Sequence, residues 1–323
     1  MITMSNAMSR SPESRAACVP GAIIGGRATA ARQRTHGWRR ALWLLCCAWL
    51  MTGCSAVRLG YNHAPDLAYW WLDGYVDFKG DQSERAHEAI EDWFQWHRRV
   101  ELPVYAGLLA KAREQVAAPA TAEQACQWFD AARLRVDVAL ERALPGAAEV
   151  ARRLSPKQLA HLEHHYAEIN EELVDNYLQP RADVRSRAQL KRALELIEKI
   201  YGRMSDPQRE RIAALAASTP FDPERWIAER HRRQQDTLQT LARLSAEQAS
   251  VAQAVEALRA LAQRSRVSPI DEYRAYQQRL IQFNCAFAAE VHNLTTPEQR
   301  RAAAEQLKEW EDDARALAAQ AKP

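Results

Sequence analysis

Five segments of this chain repeat one short pattern: a hydroxyl residue, two spacers, then glutamine. "LSPKQ" at 154–158, "MSDPQ" at 204–208 and "LSAEQ" at 244–248 carry it behind an apolar residue. "TTPEQ" at 295–299 and "ATAEQ" at 120–124 keep the Thr-x-x-Gln part. The first turn of a helix leaves its N–H groups unpaired, and this pattern satisfies two of them together. The hydroxyl accepts from the third helical N–H, while the glutamine reaches back to the cap residue's own N–H. Pro156 and Pro297 stand at the first helical position, where a missing N–H costs nothing. The pattern therefore predicts helix starts near 122, 156, 206, 246 and 297. The hydroxyls of Ser155, Ser205, Ser245 and Thr296 fall 50, 40 and 51 residues apart, which suggests helix pairs in loose repetition.

Between these starts the apolar residues step at helical spacing. Leu159, Leu162, Tyr166, Ile169, Leu173 and Tyr177 form one stripe; Tyr273, Tyr276, Leu280, Phe283, Phe287 and Val291 form another. Glycine is scarce, at 11 of 323 residues, and no Val/Ile/Thr run alternates with period two. The expected fold is all-α: a compact antiparallel array of about ten helices in loosely repeated pairs, without a sheet. Breaks are expected at Pro103, Pro119, Pro145-Gly146, Pro180, 218–223 and 266–269. No low-complexity linker divides the chain, so 66–323 reads as a single helical domain with a soft division near Pro180.

The first 54 residues read differently. Arg34, Arg39 and Arg40 precede an apolar run of eleven, Ala41 to Met51, then Thr52, Gly53 and Cys54. Eleven helical residues span about 16 Å, roughly half a hydrocarbon core, which fits a secretory signal better than a membrane span. Small residues before a cysteine resemble the bacterial lipobox, with Met51 where leucine is commonest. That resemblance implies cleavage before Cys54 and lipidation of its sulfur. Ser55 in the next position then implies the outer membrane. Two acyl chains give stable anchoring. Residues 1–53 are thus expected as a lipoprotein signal peptide of uncertain start, and 54–65 as a tether.

Removing that leader changes the charge. Residues 1–53 hold seven of the 44 basic residues and one of the 41 acidic ones, leaving 37 against 40. No global attraction to nucleic acid remains. It also removes Cys18, Cys46 and Cys47, leaving Cys126 and Cys285 beyond Cys54. The expectation is two unpaired helical cysteines in apolar packing; a disulfide is the alternative that an oxidising compartment permits.

Constellations that could carry chemistry are few. His161, His165, Glu168 and Glu172 lie at i, i+4, i+7 and i+11 on one helix stripe, a metal-ligand pattern, yet one that a solvated face also produces. "ERWIAERHRR", with Arg225, Arg230, Arg232 and Arg233 interleaved with Glu224 and Glu229, reads as a solvated face rather than a phosphate site. Trp93, Phe94 and His97 share a face with Ala86 and Ile90 and are expected in the core. No Gly-rich phosphate loop, Gly-x-Ser-x-Gly or His-Glu-x-x-His occurs. Catalysis, a cofactor and a metal are not expected. Finally, "LAYWWLDGYVDF" at 67–78 is apolar almost all round a helical wheel, with Asp66, Asp73 and Asp77 in one narrow stripe. It reads as the first core helix rather than an interfacial belt.

The start "GCSAVRLGYNHAPDLAYWWLDGYVDF" with "DQSERAHEAIEDWFQWHR" resembles a family of uncharacterised proteobacterial lipoproteins, a domain of unknown function. The resemblance implies an exported helical protein and no activity. The five-residue caps are also similar to the Leu-Thr-x-x-Gln motifs of Spy and CpxP periplasmic chaperones, although Leu-Ser replaces Leu-Thr at two sites. The expectation is a non-catalytic scaffold on the periplasmic side of the outer membrane, with a protein partner. A Spy-like chaperone is the alternative, and a metal-binding protein or envelope enzyme the third.

Overall fold

A computed structural model describes residues 56–321, apart from Pro180 and the Ala182 side chain. Four of the five boxes cap helices as expected: Thr121, Ser155, Ser205 and Thr296 each precede a helix whose third residue is the glutamine. The chain runs through α1 (Ala56–Asn62), α2 (Ala64–Val76), α3 (Asp81–Trp96), a π turn (His97–Glu101), α4 (Leu102–Gln115), α5 (Ala122–Ala151) and α6 (Pro156–Tyr177). It continues through α7 (Ala182–Tyr201), α8 (Asp206–Ala217), α9 (Pro223–Ala246), α10 (Val251–Arg266), α11 (Asp271–Asn293) and α12 (Pro297–Ala318). Among the described residues there is no strand, so the all-α expectation holds.

The fifth box is corrected. "LSAEQASVAQ" contains two Ser-x-x-Gln frames, and the second is used: Ser250 caps α10 with Gln253. Ser245 instead lies in the last turn of α9, because Leu241 and Leu244 are buried as part of that helix's apolar stripe. The end is a left-handed cap. Gln248 takes φ +49°, Ala249 N–H donates to Leu244 O at 3.1 Å, and Gln248 N–H donates to Ser245 O at 3.3 Å. With Ser250 the caps of α6, α8, α10 and α12 fall 50, 45 and 46 residues apart, a more even repeat than the sequence suggested.

The box glutamines also join helices. Gln208 Nε2 donates to Leu294 O at 2.8 Å, two residues before the Thr296 cap; Gln299 Nε2 donates to Arg203 O at 2.9 Å, two residues before the Ser205 cap. The two amides meet at 2.7 Å. The same exchange recurs between α3 and α6: Gln158 Nε2 donates to Asp77 O at 3.1 Å, Gln82 Nε2 to Arg153 O at 3.0 Å, and Gln158 Nε2 to Gln82 Oε1 at 2.7 Å. Each pair satisfies polar groups at two helix starts at once; Gln82 and Gln158 are buried, whereas Gln208 and Gln299 are half-buried.

Packing centres on α5, which touches α3, α9, α10 and α11, while α12 runs along α4 and also meets α7 and α1. One buried cluster joins Ala148, Ala151, Leu162, Leu241, Leu244 and Ala254; a second joins Ile197, Met204, Ile212 and Val291. The break expected at Pro145-Gly146 does not occur. Helix α5 runs through it, with Leu144 and Ala148 buried on either side. Gly146 is needed there because a Cβ on it would stand 2.7 Å from the Ala89 Cβ of α3. Gly146→Ala is expected to push α3 and α5 apart and cost about 1–3 kcal/mol, read by denaturant unfolding.

Residues 55–323 cluster as one unit, and the soft division expected at Pro180 falls on a residue outside the described set. Most of the stretch expected as a tether, 54–65, lies within the described residues. From Ala56 the chain is helical, and α1 is docked: Arg58 Nε pairs with Asp313 at 2.6 Å, and the Tyr61 hydroxyl bonds His97 Nδ1 at 2.7 Å. An inward residue every third position gives this short helix a partnered side that its composition alone does not reveal. Cys54 and the whole leader lie outside the described residues.

Candidate functional site

Helix α2 is not a core helix. None of its residues is buried, and Trp70 is 71% exposed, Trp71 46% and Leu67 44%. With Gly74 these three sit at i, i+3, i+4 and i+7, a single outward stripe. The opposite side is partnered. Tyr69 hydrogen-bonds Ser83 at 2.6 Å and stacks on His87 at 3.6 Å, and Tyr75 packs edge-on to His165 at 4.4 Å. Helices α3 and α6 cover α2, and both lie on that inner side. A helical wheel registers which residues are apolar; it does not register how many neighbours a helix will have. Leu59 of α1 is also 59% exposed.

A second cluster forms where Pro103 meets the α3–α4 junction. Proline has no N–H for the carbonyl of Arg99 and its ring crowds that carbonyl, so a regular α turn is blocked. The chain stays helical by widening into the π turn, with Leu102 N–H donating to His97 O. The expected break at Pro103 is thus a widened turn. It carries His97 inward, stacked on Trp93 at 4.8 Å and edge-on to Tyr105 at 5.3 Å. Ala86 is buried and Ile90, Trp93 and Phe94 half-buried, as core packing requires. Glu101, 1% exposed, holds Arg135 at 3.4 Å through one oxygen. Sequence reasoning missed Glu101 and Tyr61, since nothing in "HRRVELP" marks one charge as buried. Burial pushes the His97 imidazole down to about 4 from 6.5. An unfolded chain therefore binds the proton first, and stability falls as pH drops from about 6.5 to about 4, by about 2–3 kcal/mol. His97→Gln should flatten that part of the stability profile.

The basic run of α9 is only partly solvated. Glu229 is buried and receives Arg232 through both oxygens at 2.9 Å, Arg233 at 2.9 Å and the buried Ser268 hydroxyl at 3.1 Å. Asp236 in turn holds Arg264 at 2.8 Å. The guanidiniums are consumed inside the protein, while Arg225 pairs with Asp222 at the surface at 3.1 Å.

His161, His165, Glu168 and Glu172 do not converge. His161 Nε2 bonds Gly74 O at 3.0 Å, Glu168 lies between His164 and His165 at 3.4 and 3.3 Å, and Glu172 is exposed. Among the described residues no group of three His, Cys, Asp or Glu side chains is placed to hold a metal ion. Cys126 and Cys285, expected unpaired, are a disulfide: α5 and α11 lie side by side with the two Cα atoms 5.2 Å apart. Proximity across 159 residues is a product of the fold and is invisible in the spacing.

Among the described residues no helix is long and apolar enough to cross a membrane. No curated protein and no solved structure matches the chain. A family of unknown function, DUF6279, matches from Gly74 to Arg274, from the end of α2 into α11. That span is more than half of the chain, and the protein belongs to this family.

Proposed function

We propose that this protein is a non-catalytic binding or scaffold protein of the cell envelope. On this reading it is anchored to the outer membrane through acyl chains on Cys54, faces the periplasm, and presents its helical array to a protein partner. The observation that carries the proposal is the Cys126–Cys285 bond. Disulfides form and persist in exported proteins and are rare in reducing cytosol. The basic flank, the apolar run Ala41 to Met51 and the Thr-Gly-Cys that ends it supply the export route in the sequence.

Crosslinking in intact envelopes followed by pull-down tests the scaffold role. One defined protein recovered in constant ratio to this chain is expected. Recovery of lipids and a varying background alone would overturn it. Suppression of an unfolded client's aggregation at near-stoichiometric ratio would replace it with the chaperone reading.

A further inference from the structure

We infer that the outward stripe of α1 and α2 lies on the membrane surface, with Leu59, Leu67, Trp70 and Trp71 inserted at the level of the lipid headgroups. The inference rests on the Cys54 anchor and deepens it, by stating how the folded unit is oriented on the bilayer. Three observations carry it.

The first is position. Cys54 stands two residues before α1, so at most about 7 Å of extended chain separates their ends. The seven residues of α1 are about 10 Å long, and Trp70 follows Cys54 by sixteen residues, or about 24 Å if helical throughout. An acyl group buried from Cys54 therefore keeps Leu59 within about 12 Å and Trp70 within about 30 Å of the headgroups, a reach that lets the stripe lie along the bilayer surface.

The second is chemistry. Tryptophan and leucine on an outward helix face are the side chains that settle at a bilayer interface. The stripe formed by Leu67, Trp70, Trp71 and Gly74 holds no charge. Asp73 points away from it, its carboxylate accepting the Phe78 N–H at 2.9 Å. Asp66 lies at its edge, toward solvent.

The third is what α1 lacks. Its one cation, Arg58, is paired with Asp313 in the body of the protein. Attachment by this face is consequently apolar, not an attraction to anionic lipid. It should be insensitive to salt and to the fraction of phosphatidylglycerol.

The test uses the protein extracted from its membrane and reconstituted into phosphatidylcholine vesicles whose acyl chains are brominated near the headgroup. Tryptophan fluorescence should be quenched, and Trp70→Ala with Trp71→Ala should remove at least half of the quenching. Because both residues are exposed, the double variant should melt with the wild type, and a melting comparison verifies that. Quenching should be the same with and without phosphatidylglycerol. Equal quenching in wild type and double variant, or none, would overturn the inference, as would quenching that requires anionic lipid. The mass of the Cys54 peptide is read on the same sample. A lipidated Cys54 with unquenched Trp70 and Trp71 refutes the orientation alone, whereas an unmodified Cys54 refutes the anchor.

Discussion

Reducing the Cys126–Cys285 bond, or replacing both residues by serine, is expected to lower the unfolding free energy by about 2–5 kcal/mol. The loop it closes spans 159 residues, at the long end of what such bonds close. A cross-link of that length removes much of the freedom of the unfolded chain. The native side agrees. Cys285 is buried, Cys126 half-buried, and α5, the spine to which α3, α9 and α10 also attach, is tied to α11. Equilibrium denaturation with and without reductant measures the effect. The serine pair should match the reduced wild type, because both lack the same constraint. An unchanged midpoint would mean that the two helices are held by packing alone.

The second large effect is expected at Glu229. Its side chain is 2% exposed and accepts from Arg232, Arg233 and Ser268. Burial pushes the carboxyl up, and the two guanidiniums more than offset it, holding it below the usual carboxylate range. Glu229→Ala strips Arg233 of its carboxylate and leaves Arg232 only Asp236, at 3.6 Å; with both guanidiniums partly open to water it should cost about 2–4 kcal/mol. Glu229→Gln retains the shape and some hydrogen bonds and should cost less. The sign of the pH effect follows from the lowered value. The contribution is present above the ordinary carboxylate range and is lost as pH falls through the folded-state value. His97 loses stability at higher pH, between about 6.5 and about 4, so the two acid transitions are separable. Glu229→Gln should remove the lower one and His97→Gln the upper.

What could be read from the sequence was local. A capping box is a four-residue exchange, and Thr121, Ser155, Ser205 and Thr296 perform it where the pattern stands. Where two frames followed one another, at Ser245 and Ser250, the choice belonged to Leu241 and Leu244, whose burial against α5 and α6 residues keeps α9 going. Proline gave a partial signal. Pro103 did disturb the helix, as a π turn rather than a stop, whereas Pro145 was absorbed within α5 because both flanks pack.

The non-local features were not legible. The glutamine exchanges between caps use the amide hydrogens that the box leaves over, and need two helix starts brought together. The pairing of Cys126 with Cys285 needs α5 beside α11. Trp70 and Trp71 look like core in a sequence because both are large and apolar; their exposure reflects that, among the described residues, α3 and α6 pack on the other side of α2. The family match begins at Gly74, so it speaks for the helical body and not for the stripe or the anchor ahead of it.

The central claim is that this helical body is an exported protein held at a membrane by Cys54. The intact mass of the protein taken from cell envelopes tests it most directly. The account predicts a chain that begins at Cys54, carries diacylglycerol on that residue, and lacks two hydrogens at the joined Cys126 and Cys285. A chain that retains residues before Cys54, with an unmodified Cys54 and free thiols at Cys126 and Cys285, would contradict it.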